Sequence, residues 1–188
     1  MSQLTFRLAA TLALASALLL AGCTSDGPIV LPGPAPTTAP VFATDEDALA
    51  AAEVAYGEYL KASDAITAKN GADPNTIGEY VDSDYLPEVL DVFEGYRADG
   101  LTTRGSIAFD SLELQQYNDT LTGPVIVAFY VCLDVTEARL FDSKGNDVTP
   151  PGRDDRVPLE VTMQSDERTS ELLLKSSEVW TGADFCEK

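Results

Sequence analysis

The sequence predicts an α+β fold in which helices come first and an antiparallel sheet follows. Apolar residues recur at helical spacing between Ala43 and Gly100, and after Gly100 the period falls to two. The two regimes do not alternate, as they would in a doubly wound parallel sheet. The chain has 188 residues, 45% of them apolar, which suits one ordinary domain and excludes global disorder. It carries 31 Asp+Glu against 12 Lys+Arg, a formal net charge of -19, and no histidine. Without histidine there is no Ser-His-Asp or Cys-His triad, no His-ligated zinc or haem and no imidazole pH switch. The acidic excess would repel a polyanion, so no nucleic-acid partner is expected.

Residues 1–22 come before the fold. Met1–Arg7 has Arg7 as its one charged side chain, and Leu8–Leu19 is an unbroken small and apolar run. That run is shorter than the roughly 20 residues a bilayer-spanning helix needs, and it fits a secretory h-region. Leu20-Ala21-Gly22-Cys23 follows, and Thr24-Ser25-Asp26 is at once polar. Leu-Ala-Gly-Cys resembles the lipobox of bacterial lipoproteins. The resemblance implies a cleaved signal peptide (1–22), diacylglycerol on the Cys23 thiol, and a protein lipid-anchored at the extracytoplasmic face of the cell membrane. The alternative is a general signal peptide cut at a small-residue site, with Cys23 an ordinary thiol. One acyl chain binds a membrane marginally, whereas two or three anchor it stably.

Residues 23–43 read as the lipidated cysteine and a tether rich in proline (Pro28, Pro32, Pro34, Pro36, Pro40). Polyproline II geometry, about 3.1 Å per residue, would let it reach roughly 60 Å. A disordered spacer with no set length reads equally well.

The domain is expected over 44–188. Thr44 is placed to cap a helix whose first turn holds Asp45, Glu46 and Asp47. Leu49, Ala52, Tyr56, Tyr59, Leu60 and Ile66 keep helical spacing up to a stop at Asn70-Gly71. A short segment follows over Asn75–Val81. A third helix begins near Asp82-Ser83-Asp84, carries Leu86, Val89, Leu90, Phe93 and Tyr96 on one face, and ends before Gly100. Thr103–Tyr117 reads as a long strand whose phase slips at Asp110-Ser111, the mark of a β-bulge. Val125–Val135 alternates without a break and has apolar residues on both faces, which predicts a central strand buried on both sides. Ser143-Lys144-Gly145-Asn146 reads as a hairpin turn. Val157–Gln164 and Leu172–Trp180 are the last strands.

With Cys23 assigned to lipid, Cys132 and Cys186 remain as an even pair in an oxidising compartment. A structural disulfide pinning the tail to the sheet is expected, against two buried thiols or a redox pair. A redox pair usually has the Cys-x-x-Cys spacing, which is absent.

Element order and two local features, Val131-Cys132-Leu133-Asp134 and Val179-Trp180-Thr181-Gly182, make residues 44–188 resemble the nuclear transport factor 2-like (SnoaL-like, cystatin-like) cone. With the lipobox, the chain is similar to small actinobacterial lipoproteins of that fold. The resemblance implies a sheet curved around the first helix with a pocket at its wide end. Some isomerases of the fold use one Tyr and two Asp there, an Asp base with Tyr and a protonated Asp on the oxyanion. The residue types available are Tyr56, Tyr59, Tyr80, Tyr85, Asp110 and Asp134, and their spacing singles out no convergent set.

Tyr56, Tyr59, Phe93, Phe109, Tyr130, Asp134 and Trp180 are the candidate pocket residues, with Tyr96, Phe129 and Met163 as further apolar candidates; all of the apolar ones read equally as core. Asp134 shares its strand phase with Tyr130 and Cys132, so it needs a partner, for which Arg139 or Arg156 is available. The Asp142–Asp147 stretch fails the EF-hand pattern, because Gly145 is at the fourth position and no Glu follows at the twelfth. No metal site, cofactor loop or nucleophile elbow is present, so neither metal nor cofactor is expected. The reading that emerges is a lipid-anchored envelope module that binds a partner protein or a small apolar ligand without catalysis. A Tyr/Asp isomerase or cyclase is the alternative. A two-lobed transporter component would need a longer chain.

Overall fold

A computed structural model describes residues 39–165 and 167–186. The expected signal peptide, Cys23 and the tether as far as residue 38 lie outside the described residues. Among the described residues no helix is long and apolar enough to cross a membrane.

Helix α1 spans Asp45–Thr67, and the Oγ1 of Thr44 accepts the Asp47 amide at 3.1 Å, as its capping role requires. The helix runs out at Asn70 and Gly71, both left-handed (φ 58° and 67°). A Cβ on Gly71 would overlap the Phe93 carbonyl of the next helix, so the turn needs glycine there. A 3-10 turn over Pro74–Glu79 buries Ile77, and helix α2 follows over Leu86–Asp99, closed by left-handed Gly100. The helix does not begin at Asp82–Asp84, as the sequence predicts; those residues form a turn in which Asp82 O accepts the amides of Tyr85 and Leu86.

Six strands follow. β1 (Thr102–Arg104) and β4 (Arg139–Phe141) form a two-stranded ribbon. β2 (Ala108–Asp119), β3 (Val125–Asp134), β5 (Arg156–Gln164) and β6 (Leu173–Val179) form an antiparallel sheet in the order β2-β3-β5-β6. The single long strand expected over Thr103–Tyr117 is therefore two, broken at Gly105 (φ 88°), where a Cβ would overlap the Glu137 carbonyl. The expected phase slip lies at Asp110–Ser111, with Ser111 left-handed (φ 58°), and a second slip falls between Leu114 and Gln116. The free edge of β6 is met by residues 80–82, where Leu174 N reaches Tyr80 O and Asp82 N reaches Leu174 O, both at 2.9 Å.

The fold is α+β, with helices packed on one face of this sheet. Ala48, Ala52, Tyr56 and Leu60 form a buried stripe at four-residue spacing along α1. Opposite them lie Val125, Val127, Phe129 and Val131 of β3, Val161 and Met163 of β5 and Leu174 of β6, all fully buried; α2 adds Val89 and Phe93. The expectation that β3 is buried on both faces is corrected. Ile126, Ala128 and Tyr130 on its outer face are half-exposed; among the described residues the C-terminal tail reaches this face at Cys132 and beside Tyr130 and leaves the rest open.

Candidate functional site

Strand alternation separates the candidate residues before any chemistry is considered. Phe129 points to the helices, so Tyr130, Cys132 and Asp134 point away from them. On the helix side, Tyr56 is the centre of an aromatic cluster. Its ring lies 5.2 Å from Phe109, 5.9 Å from Phe129 and 6.1 Å from Tyr59, centroid to centroid. Burial, then the neighbouring Tyr59, drives the Tyr56 phenol well above its ordinary value, although a hydrogen bond to Ser177 opposes this. Burial and nearby Tyr85 push Tyr59 up to about 12. These phenols stay protonated, and Tyr56 and Phe93, each about 1% exposed, are core.

On the outer side, Arg156 ties three strands and the tail together. Its Nη2 donates to both carboxylate oxygens of Asp110 on β2 (2.8 and 2.9 Å) and its Nη1 to Asp134 Oδ2 on β3 (2.9 Å). Its Nε donates to the carbonyl of Cys186 (3.2 Å). Of the two arginines available for Asp134, the partner is Arg156, not Arg139. Asp134 lies below its ordinary value, held there by the hydroxyl and amide of Thr136 and then by Arg156. Asp110 and Asp134 thus serve a clamp at the end of the sheet, away from Tyr56 and Tyr59.

The tail beyond β6 crosses to β3 and is locked by the Cys132–Cys186 disulfide (Cα–Cα 5.4 Å), the pairing expected from the cysteine count. It brings Trp180 to 4.6 Å and Phe185 to 5.7 Å from the Tyr130 ring. Gly182 lies against the Trp180 indole so closely that a Cβ would overlap it. Beside this trio an open depression of about 1040 Å³ is lined by Asp154, Arg156, Val179, Trp180, Gly182 and Asp184, among others. Val179 is 63% exposed there. The seven candidate residues therefore fall into two groups on opposite faces: Tyr56, Tyr59, Phe93 and Phe109 inside, Tyr130, Asp134 and Trp180 outside. Phe185 is not among the candidates the sequence offers; its place next to Cys186, which is buried with Cys132, is the available signal.

The other end of the sheet holds a second clasp. Asp119, its side chain 4% exposed, takes a two-nitrogen ion pair from Arg168 and accepts the Val41 amide at 2.8 Å. Arg168 also donates to Ala39 O at 3.1 Å. No group of three or more potential ligands able to hold a metal ion occurs among the described residues.

No family model matches the chain, and no curated protein does. Among solved structures the chain is similar to the intermembrane-space region of the chloroplast protein ARC6, at 14% identity and a TM-score of 0.51. The match covers 71% of this chain and 97% of that one, and at this identity it speaks for the fold alone.

Proposed function

We propose that this chain is a cell-envelope lipoprotein, acylated at Cys23 and held at the extracytoplasmic face of the membrane, whose nuclear transport factor 2-like domain binds a partner and catalyses nothing. The Leu20-Ala21-Gly22-Cys23 sequence supports the anchor, and helices packed on an antiparallel sheet are compatible with that fold family. The observation that carries the binding reading is the separation of Tyr56 and Tyr59 from Asp110 and Asp134. A Tyr/Asp isomerase needs one phenol and two carboxyls around a single carbonyl. Here Tyr56 and Tyr59 lie on the helix side of the sheet, whereas Asp110 and Asp134 are both ion-paired with Arg156 on the other.

Native mass spectrometry of the full-length protein isolated from its own host tests the binding role, with a bound species as the expected result. Isomerase or cyclase turnover on a carbonyl substrate that Tyr56→Phe abolishes would overturn it. The anchor is tested separately: Cys23→Ala should lose lipid labelling and leave the membrane fraction, and an Ala variant that stays there would sink the assignment.

A further inference from the structure

The outer face of the four-stranded sheet carries a row that its own fold does not explain. In strand register Glu113 of β2 stands beside Tyr130 of β3, Tyr130 beside Glu160 of β5, and Glu160 beside Glu178 of β6. All four alternate away from the helices, and all are exposed or half-exposed. Glu160 and Glu178 are like charges directly opposite each other, an arrangement that destabilises a sheet. Among the described residues none of the three glutamates has an ion pair, and the nearby cation, Arg156, is already taken by Asp110 and Asp134. The phenol at the centre of the row is pushed up by desolvation and then by the charges of Glu160 and Glu113. Trp180 and Phe185 flank Tyr130 with their rings.

We propose that this sheet face docks an extended basic segment of a partner polypeptide, whose Lys or Arg side chains pair with Glu113, Glu160 and Glu178 and lie over Tyr130 and Trp180. The proposal rests on the binding role above and names the partner's chemistry. Charge complementarity selects the occupant, and aromatic faces beside carboxylates favour cations further. Spacing selects a polypeptide. Three strand-to-strand steps spread the row over about 14 Å, too wide for one metal ion and within reach of alternate side chains of an extended chain. A second copy of this protein would set the glutamate row against itself.

The chain has a single tryptophan, and Trp180 lies in the proposed surface, so its emission reports occupancy directly. The full-length protein is titrated with an extended Lys-Val octapeptide and, as control, a Glu-Val octapeptide. A saturable change is expected with the first alone, about tenfold weaker in E160Q/E178Q, which removes a repulsion and so should fold. E53Q/E94Q, on the exposed sides of α1 and α2, should bind as the parent does. No saturable response, or equal weakening in both double variants, would overturn the proposal, the latter by showing attraction to net charge alone. Spermidine or calcium binding as tightly with the same glutamate dependence would also overturn it, as would a dimer buried on this face. A host-derived species seen by native mass spectrometry alongside a silent octapeptide would leave the binding role standing and remove this inference only.

Discussion

The hydroxyl of Tyr117 closes a reciprocal pair with the backbone of Phe42, accepting its amide at 3.0 Å and donating to its carbonyl at 3.1 Å. The two rings meet edge to face at 5.9 Å, and Phe42 is buried. One side chain thus satisfies both backbone groups of a residue that has left regular structure. Tyr117→Phe should cost about 1–3 kcal/mol, because two partly buried backbone groups lose their partner together. Urea unfolding measures the loss, and the Phe42 amide should exchange faster than in the parent.

Phe129 and Tyr130 are neighbours in sequence and opposites in environment. Phe129→Ala should cost about 3–5 kcal/mol, the usual range for a buried aromatic. Tyr130→Ala should cost about 1 kcal/mol or less, since its ring is half-exposed. Equal costs from paired denaturation curves would mean that the outer face is covered after all.

The C-terminal tail offers two separable perturbations. Cys132→Ser with Cys186→Ser releases a closed loop of 54 residues. In the chain-entropy model this costs about 4 kcal/mol. Gly182→Ala leaves the crosslink in place but forces the Trp180 indole to move. Its expected signature is a shifted emission maximum with a small change in unfolding midpoint, and an unchanged spectrum would contradict the contact.

Acid should weaken the fold. Burial pulls Asp82 upward but is outweighed by hydrogen bonds from Lys175 (2.7 Å) and the Asp84 amide and by the Lys175 charge, so its carboxyl lies below the ordinary 3.8. Asp134, Asp142 and Asp147 are also depressed, mainly by hydrogen bonds from Thr136, Asn146 and Thr149. A depressed carboxyl stabilises fully above its unfolded value and loses that contribution as pH falls through its folded value. Stability should therefore hold from neutral pH to about 5 and decline below about 4. Asp82→Asn should cost about 1–3 kcal/mol at pH 7 and progressively less as acid is added. A gap between parent and variant that stays constant to pH 2 would contradict the assignment.

How much was legible depends on whether an element leaves its mark locally. The Thr44 cap, the Asn70-Gly71 stop and the slip at Asp110–Ser111 are each written in adjacent residues. The second slip in β2 is silent because Gln115 and Gln116 are both polar and carry no phase. The outer face of β3 misleads for another reason: Ile126, Ala128 and Tyr130 look like core, but composition does not say whether another layer arrives to cover them. The site was split for the same cause. Tyr130 and Trp180 meet because a disulfide 54 residues long brings the tail back, and Arg156 collects Asp110 from 46 residues away. Such meetings are properties of register, and single-strand patterns do not encode them.

The clasp around Ala39–Phe42 has a mechanical meaning. Arg168 holds Ala39, Asp119 holds Val41 and Tyr117 holds Phe42, so pulling on the chain ahead of Ala39 loads the end of the sheet before it reaches α1. Three contacts from two separate segments share the strain, and Thr44 with its capped turn lies behind them. A domain strained in this way would give up its clasp as one step and keep its first helix wound, and the aromatic trio, at the opposite end of the strands, would not feel the tug.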